Sequence, residues 1–150
     1  MKTTEQTLLE IYKIGTKEVK DYLEKEHPNL FPKQSLLEQA ITYLGENDKE
    51  VLKLKQLEGI DELLAHQKLV VIIKWKNQGW IPNFDNGNEA KYFIWWYLGK
   101  DFRLYHVFYY LSSSTCSARL CFKNRSDAEE MTTNNEFINY GKQAFNYELQ

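Results

Sequence analysis

The stretch from Asp61 to Tyr110 decides the fold of this chain, because it holds two long apolar segments joined by a loop. The first segment, DELLAHQKLVVIIKWKN (61–77), is β-branched at its centre. The second, KYFIWWYLGKDFRLYHVFYY (91–110), is mostly aromatic, and all four tryptophans of the chain fall between residues 61 and 110. Both segments have the composition of a hydrophobic core, so the flanking sequence is interpreted around them.

The first apolar segment fits either a buried strand or a helix. Leu69–Ile73 has the β-branched composition of a strand. Three features favour a helix: Asp61 is a good N-cap, apolar residues recur at helical spacing, and Gly79 suits a C-terminal cap. Burial in a core overrides the weak helix propensity of valine and isoleucine. We therefore predict one long buried helix over residues 60–79.

The aromatic segment predicts an antiparallel hairpin. Lys91–Leu98 and Phe102–Leu111 have strand composition, and Gly99–Asp101 between them suits a turn. The residues that precede the hairpin are rich in glycine, proline, asparagine and aspartate, which is typical of a loop. A third strand is predicted at Ala118–Phe122. Residues 80–125 are thus expected to form an aromatic-rich, three-stranded antiparallel meander.

Short helices are predicted on both sides of this stretch. A serine or threonine followed three residues later by glutamate or glutamine is a capping box, which begins a helix. Residues 1–59 are therefore expected to be short helices and residues 126–150 C-terminal helices, so that residues 1–150 form a single α+β domain with a helical N-terminal half. The four boxes are Thr3–Gln6, Ser35–Glu38, Ser126–Glu129 and Thr133–Glu136.

Composition limits the classes of function. The formal net charge of -2 gives no general attraction to nucleic acid or to acidic membranes, although a local basic patch remains compatible with it. The N-terminus has no apolar signal-peptide core, and the longest apolar run, Leu69–Ile73, is too short to span a bilayer. We therefore expect a cytoplasmic protein without a membrane partner, in which Cys116 and Cys121 are reduced.

No sequence motif indicates catalysis or metal binding. The chain lacks a G-x-S-x-G nucleophile elbow, a P-loop and a G-x-G-x-x-G dinucleotide motif. His66, His106, Cys116 and Cys121 do not have the paired spacing of a metal site. We therefore predict a protein that is not an enzyme and has no cofactor, metal or small-molecule substrate.

Both faces of the predicted hairpin are apolar or aromatic, which is more than a sheet with one solvated face requires. Either helices cover both faces, or one face is a recognition surface whose tyrosines and tryptophans contact a partner. A single-stranded nucleic acid would stack its bases on the tyrosines and place its phosphates against nearby cations. The candidate partner-binding residues are Trp95, Tyr97, Arg103, Tyr105, Tyr109, Arg119, Lys123 and Arg125.

Several short phrases occur together between residues 60 and 145: HQKLVVII (66–73), NQGW (77–80), PNF (82–84), NEAKY (88–92), RLCFK (119–123) and YGKQ (140–143). In these phrases the chain resembles a group of small proteins from phages and prophages of Bacteroidetes-type bacteria. It departs from their pattern at Ala118, where serine is usual, at Phe84, where tryptophan is usual, and at Ala144, which intervenes before Phe145. The group has no established activity, so the resemblance implies only an accessory protein of a mobile element.

Phage accessory proteins of this size are often inhibitors of host defence. We therefore expect a phage- or prophage-encoded, non-catalytic inhibitor that is similar to anti-CRISPR proteins. Its partner would be a host protein, an RNA-guided CRISPR effector nuclease or its guide-bound form, in the cytoplasm of the bacterial host. The alternative is an accessory protein that binds single-stranded nucleic acid, RNA in particular, through the aromatic hairpin and the adjacent basic residues.

Overall fold

The computed structural model describes residues 2–111 and 120–146, without the side chains of Leu104 and Tyr105. The chain divides into two compact units, Met1–Gln34 and Ser35–Gln150, and each is described by itself. The single domain expected for residues 1–150 stays a prediction. Within the described residues there are seven helices and three strands, and the predicted α+β class is confirmed.

The N-terminal unit contains two helices, α1 (Thr4–Ile14) and α2 (Lys17–Glu26). The predicted capping box at Thr3 is confirmed, since the Thr3 hydroxyl accepts a hydrogen bond from the Gln6 amide and the Gln6 side chain accepts one from the Thr3 amide. The two helices meet closely at Gly15. A Cβ atom at that position would lie 2.9 Å from a side-chain carbon of Val19, so the junction requires glycine.

The second unit is organised around the helix predicted from the central stretch. This helix, α5 (Asp61–Asn77), is confirmed, and Leu69–Ile73 is buried within it on every side. Its ends differ slightly from the expectation, because Ile60 is the N-cap and Gln78 adopts the left-handed conformation at the C-cap. The remaining helices of this unit are α3 (Leu36–Leu44), α4 (Lys49–Gln56), α6 (Arg125–Met131) and α7 (Asn135–Ala144).

The predicted hairpin is confirmed as β1 (Lys91–Leu98) and β2 (Phe102–Tyr110), which pair in antiparallel register. The third strand, β3 (Cys121–Phe122), pairs with β1 and not with β2, so the strand order is β2-β1-β3 where the predicted meander required β3 beside β2. The first part of the predicted third strand, residues 118 and 119, lies outside the described residues.

Asn77, at the end of α5, explains where β3 lies. Its side-chain amide donates to the Cys121 carbonyl and accepts from the Lys123 amide, both at 2.9 Å. These two bonds tie the backbone on both sides of Phe122 to α5, which contributes Leu69 and Val71–Ile73 to the core. A contact between residues so distant in sequence leaves no local signal in the chain.

The two C-terminal capping boxes do not form as predicted. Helix α6 begins one residue before Ser126, with Asn124 as its N-cap. Helix α7 is capped by the side chain of Asn134, which accepts from the Phe137 amide at 3.0 Å. The Glu136 carboxylate therefore does not bond to the Thr133 backbone and instead accepts hydrogen bonds from the amides of Leu36 and Leu37. At α7 the side chain of Asn134 takes the capping role expected of Thr133, whereas at α6 Asn124 makes no side-chain capping bond and Ser126 lies within the helix.

Candidate interaction surface

One face of the β1–β2 hairpin packs against the core. Ile94 on β1 and its cross-strand partner Val107 on β2 are both buried. Trp96, on the same side of β1, stacks on Phe137 of α7 with ring centroids 5.9 Å apart. Because side chains alternate along a strand, Trp95 and its i±2 neighbours point to the opposite face of the sheet.

On that opposite face Phe93 is buried, whereas other aromatic side chains are exposed to solvent. Trp95 is 53% exposed and contacts Phe108 of β2 edge-to-face, with centroids 5.4 Å apart. Tyr110, also on β2, is 48% exposed, and Tyr97 and Phe108 are exposed as well. We call Trp95, Tyr97, Phe108 and Tyr110 the aromatic face. Of the two explanations for a doubly aromatic hairpin, complete coverage by helices is therefore wrong for this face.

Arg103 borders the aromatic face. It lies opposite Tyr97 in the strand register, and its guanidinium carbon is 4.7 Å from the centroid of the Tyr97 ring. A cation above an aromatic ring at this distance is held by the negative charge of the ring face. The His106 ring is 3.9 Å from that of Phe108 on the same side of β2. The surface therefore combines the four rings of the aromatic face and the His106 ring with the guanidinium group of Arg103.

A bulge in the hairpin determines which β2 residues belong to the aromatic face. Trp95 pairs with His106 whereas Trp96 pairs with Leu104, so Tyr105 is the extra residue on β2. An extra residue reverses the alternation that follows it. Beyond the bulge, Phe108 and Tyr110 therefore share the side of Trp95. The sequence prediction missed both residues, and no local feature of the chain indicates the bulge.

The predicted partner-binding residues do not all lie together. Trp95, Tyr97 and Arg103 form one cluster, as described above. Tyr109 is exposed, but it stands on the core side of the hairpin beside Tyr92, with centroids 6.2 Å apart. The side chain of Tyr105 and the whole of Arg119 lie outside the described residues.

The two remaining predicted cations follow β3, on the other edge of β1 from β2. Lys123 and Arg125 are both exposed. The guanidinium of Arg125 pairs with the Glu129 carboxylate at 2.7 Å, which offsets its charge locally. Both cations thus follow the strand at the far edge of the sheet from β2, whereas Arg103 on β2 contacts Tyr97 of the aromatic face.

The loop before β1 is fixed by a buried charge that the sequence did not reveal. The Lys91 ammonium is fully buried and donates to the carbonyls of Asn86 and Glu89 at 2.9 and 2.8 Å. The Glu89 carboxylate accepts from the Asn83 amide at 2.8 Å and from the Trp80 indole at 3.2 Å. The Asn83 hydrogen bond, then those from Trp80 and Lys91, lowers the pKa of Glu89. These bonds tie the loop to the start of β1.

Beside this loop lies a cleft of about 430 Å³, lined mainly by apolar side chains that include Val70, Ile73 and Trp80. The buried carboxylate of Glu50 also borders it. This carboxylate accepts a 2.9 Å hydrogen bond from Gln67 and pairs with Lys53 at 3.1 Å. The charge is thus paired within α4 by Lys53 and bonded to α5 by Gln67.

Other reactive groups are few in the part of the chain that the structure describes. Burial raises the pKa of the Cys121 thiol to about 11, so this group is protonated at neutral pH and a poor nucleophile. Among residues 2–111 and 120–146, no three histidine, cysteine, aspartate or glutamate side chains are placed to hold a metal ion. No helix in these ranges is both long and apolar enough to cross a bilayer.

Searches among family models, curated proteins and solved structures found no match to this chain.

Proposed function

We propose that the protein is a non-catalytic inhibitor that acts by binding a partner protein through the aromatic face. The observation that carries this proposal is the exposure of Trp95, Tyr97, Phe108 and Tyr110 on one side of the β1–β2 hairpin. Tryptophan and tyrosine dominate the energetics of protein interfaces, because they bury a large area and lose little side-chain entropy. Contiguous exposed apolar surface of this kind marks interaction sites.

The resemblance of residues 60–145 to phage and prophage proteins directs the proposal to host defence. The target that we propose is an RNA-guided CRISPR effector nuclease or its guide-bound form, in the cytoplasm of the bacterial host. Binding alone is sufficient for such inhibition, provided that it blocks access to the guide or to the target. This mechanism requires only a surface that binds the effector in competition with its guide or its target.

The placement of the cations favours a protein partner over RNA. Single-stranded nucleic acid is bound by stacked aromatic rings together with a row of cations that follows the phosphates. Arg103 borders the aromatic face, but Lys123 and Arg125 lie beyond the opposite edge of β1, and Arg125 is paired. The guanidinium above Tyr97 is the observation that keeps RNA as the second candidate.

The first prediction concerns binding to purified CRISPR effectors, tested with and without guide RNA by biolayer interferometry. We expect Trp95→Ala and Tyr97→Ala each to weaken binding at least ~10-fold, because truncation of an interface anchor costs about 2 kcal/mol or more. Tyr43→Ala is the matched control, since Tyr43 is an exposed tyrosine on α3. Plaque formation by a targeted phage in cells that express each variant should follow the same order.

Two outcomes count against this proposal. If none of the effectors is bound and phage is not protected, inhibition of these effectors is wrong. If labelled single-stranded RNA is bound instead, with an affinity that falls steeply with salt and with Arg103→Ala, the second candidate replaces the first. If Tyr43→Ala weakens binding as much as Trp95→Ala does, the contact lies outside the aromatic face.

A further inference from the structure

The cleft beside the loop before β1 has the size and the lining of a small-molecule site. Its volume of about 430 Å³ falls within the ~300–1,000 Å³ that such sites occupy. Trp80 and Phe84 line it from the loop, and Val70 and Ile73 line it from α5. All of its lining residues belong to the second unit. A mostly apolar cleft with aromatic rings in its wall suits an apolar, flat molecule.

The two aromatic rings of the wall are in contact with charged groups of the protein. The Trp80 indole donates to the Glu89 carboxylate at 3.2 Å. The buried ammonium of Lys91 lies 5.7 Å from the centroid of the Phe84 ring. Side chains with such contacts lose less conformational freedom when a ligand binds than freely rotating side chains do. This part of the wall is therefore suited to bind a ring without a large cost in ordering.

The acidic and amide side chains at the cleft are bonded to the protein itself. The Glu50 carboxylate accepts from Gln67 and pairs with Lys53, and the Lys74 ammonium pairs with the Asp48 carboxylate. In the described part of the chain, every buried side-chain nitrogen or oxygen has a hydrogen-bond partner. A polar group that a ligand buried against this wall would therefore have no partner of its own. The part of the ligand that enters the cleft has to be apolar.

Lys49 is the lining cation that is left for a ligand. It is the first residue of α4 and is exposed, and no carboxylate of the described residues pairs with its ammonium. Lys74, the other cation that lines the cleft, is already paired. Because Lys49 is exposed, an anionic group can pair with it and keep part of its own water, which avoids the cost of burying a charge. The charge of the site thus complements one anionic group.

We propose that this cleft binds a small aromatic acid, whose ring system lies against Trp80 and Phe84 and whose carboxylate pairs with Lys49. Aromatic rings contact one another by offset stacking or edge-to-face, and both arrangements favour a flat ligand here. The ligand also covers part of Ile81, which lines the cleft and is 82% exposed. None of these residues belongs to the aromatic face, so the site is independent of the proposed binding to an effector.

Naphthoic acid and naphthamide are the matched probes, because they share a ring system and differ at neutral pH in the charge of the substituent. Each is titrated into the full-length protein, and the indole N–H resonance of Trp80 is followed by NMR. Naphthoate should shift this resonance saturably with a dissociation constant of about 0.1–1 mM, as expected for a ligand of so few atoms. Naphthamide should bind about 5-fold more weakly, because it makes no charged contact with Lys49.

Substitutions at exposed positions separate the charged contact from the apolar one. Lys49→Met should reduce the affinity for naphthoate about 5-fold and leave the affinity for naphthamide unchanged, a difference that general damage to the fold would not produce. Lys55→Met is the matched control, since Lys55 is an exposed lysine of the same helix that does not line the cleft. Ile81→Asp should weaken both probes, and naphthoate more, because it replaces an apolar contact with a negative charge.

Three results overturn the proposal. The first is a Trp80 resonance that neither probe shifts saturably, and the second is equal affinity for naphthoate and naphthamide. The third is a shift of the Trp95 indole resonance in place of that of Trp80, which would put the probe on the aromatic face. The remaining resonances of each variant should match those of the wild type, which shows that the fold is kept. Binding of an effector is measured separately, so either proposal can fail without the other.

Discussion

A single carboxylate determines much of the conformation of the loop before β1. Glu89 accepts hydrogen bonds from the Asn83 amide and the Trp80 indole, and it stands beside the buried ammonium of Lys91. All three partners favour the ionised form of the carboxyl group. The loop is therefore ordered by one charged group that nothing in the local sequence marks as special.

Glu89 makes the loop sensitive to acid. Its pKa is lowered below the ordinary 4.5, first by the Asn83 amide, so its ionised form stabilises the folded loop at pH values above 4.5. This contribution is lost as the pH falls through the lowered pKa, because the protonated group no longer attracts the same donors. We expect the indole N–H resonance of Trp80 to change in that acidic range. In Glu89→Gln the resonance should already be altered at neutral pH, and a wild-type resonance that is constant down to global acid unfolding would contradict the prediction.

The residues of the candidate surface could be predicted only in part. Trp95, Tyr97 and Arg103 were expected from composition and strand alternation, and the structure places these three together. Phe108 and Tyr110 were missed, because the extra residue in β2 is fixed by tertiary packing and not by a turn motif. Fully buried Lys91 was missed for a similar reason, since its partners are backbone carbonyls that every sequence possesses.

At the scale of elements, one helix caps another. The Glu136 carboxylate on α7 accepts from the backbone amides of Leu36 and Leu37 at the start of α3, at 2.6 and 3.1 Å. The Tyr140 hydroxyl donates to the same carboxylate at 2.9 Å. Free amides at a helix N-terminus attract anions, so this contact joins α7 to α3 through charge as well as packing.

Removal of this cap should destabilise the second unit. Glu136→Ala leaves the two α3 amides without their charged acceptor, and we expect a loss of about 1–2 kcal/mol in the free energy of unfolding. Glu129→Ala is the control, because it removes a carboxylate whose pair with Arg125 is exposed, which contributes less than about 0.5 kcal/mol. Urea denaturation followed by circular dichroism measures both. Equal losses in the two variants would show that the cap contributes nothing specific.

Predictions of single elements succeeded where local chemistry decides the outcome. The capping boxes at Thr3 and Ser35 form as expected, and helix α5 forms in spite of its β-branched centre. Failure occurred where a distant residue competes. Glu136 was assigned to the start of its own helix, but it bonds to an element about one hundred residues earlier in the chain.

At the scale of the whole molecule, the two units differ in how much of each is buried. Helix α5 contributes five consecutive buried apolar residues, Leu69–Ile73, to the core of the second unit, whereas α1 buries none. The class of fold followed from the sequence because apolar pattern and capping motifs specify it. The division near Gln34 did not, since no glycine- or serine-rich linker marks it.

This difference predicts unequal protection from hydrogen exchange. Amides of Leu69–Ile73 should exchange only through unfolding of the second unit, whereas those of α1 and α2 should exchange through local openings that are far more frequent. Mass spectrometry of peptic fragments measures both. Similar protection in α1 and in α5 would contradict the prediction.

Because Lys91 is buried, the rate at which its amine is chemically labelled reports how often the loop before β1 opens. Amine-acylating reagents need an accessible, deprotonated nitrogen, and this amine presents no surface to solvent in the folded protein. Its acylation therefore has to wait until the loop lifts away from β1. The ratio of its labelling rate to that of an exposed lysine gives the fraction of time that the loop is open. The opening of the loop can thus be measured from the labelling of one lysine, without an attached fluorophore.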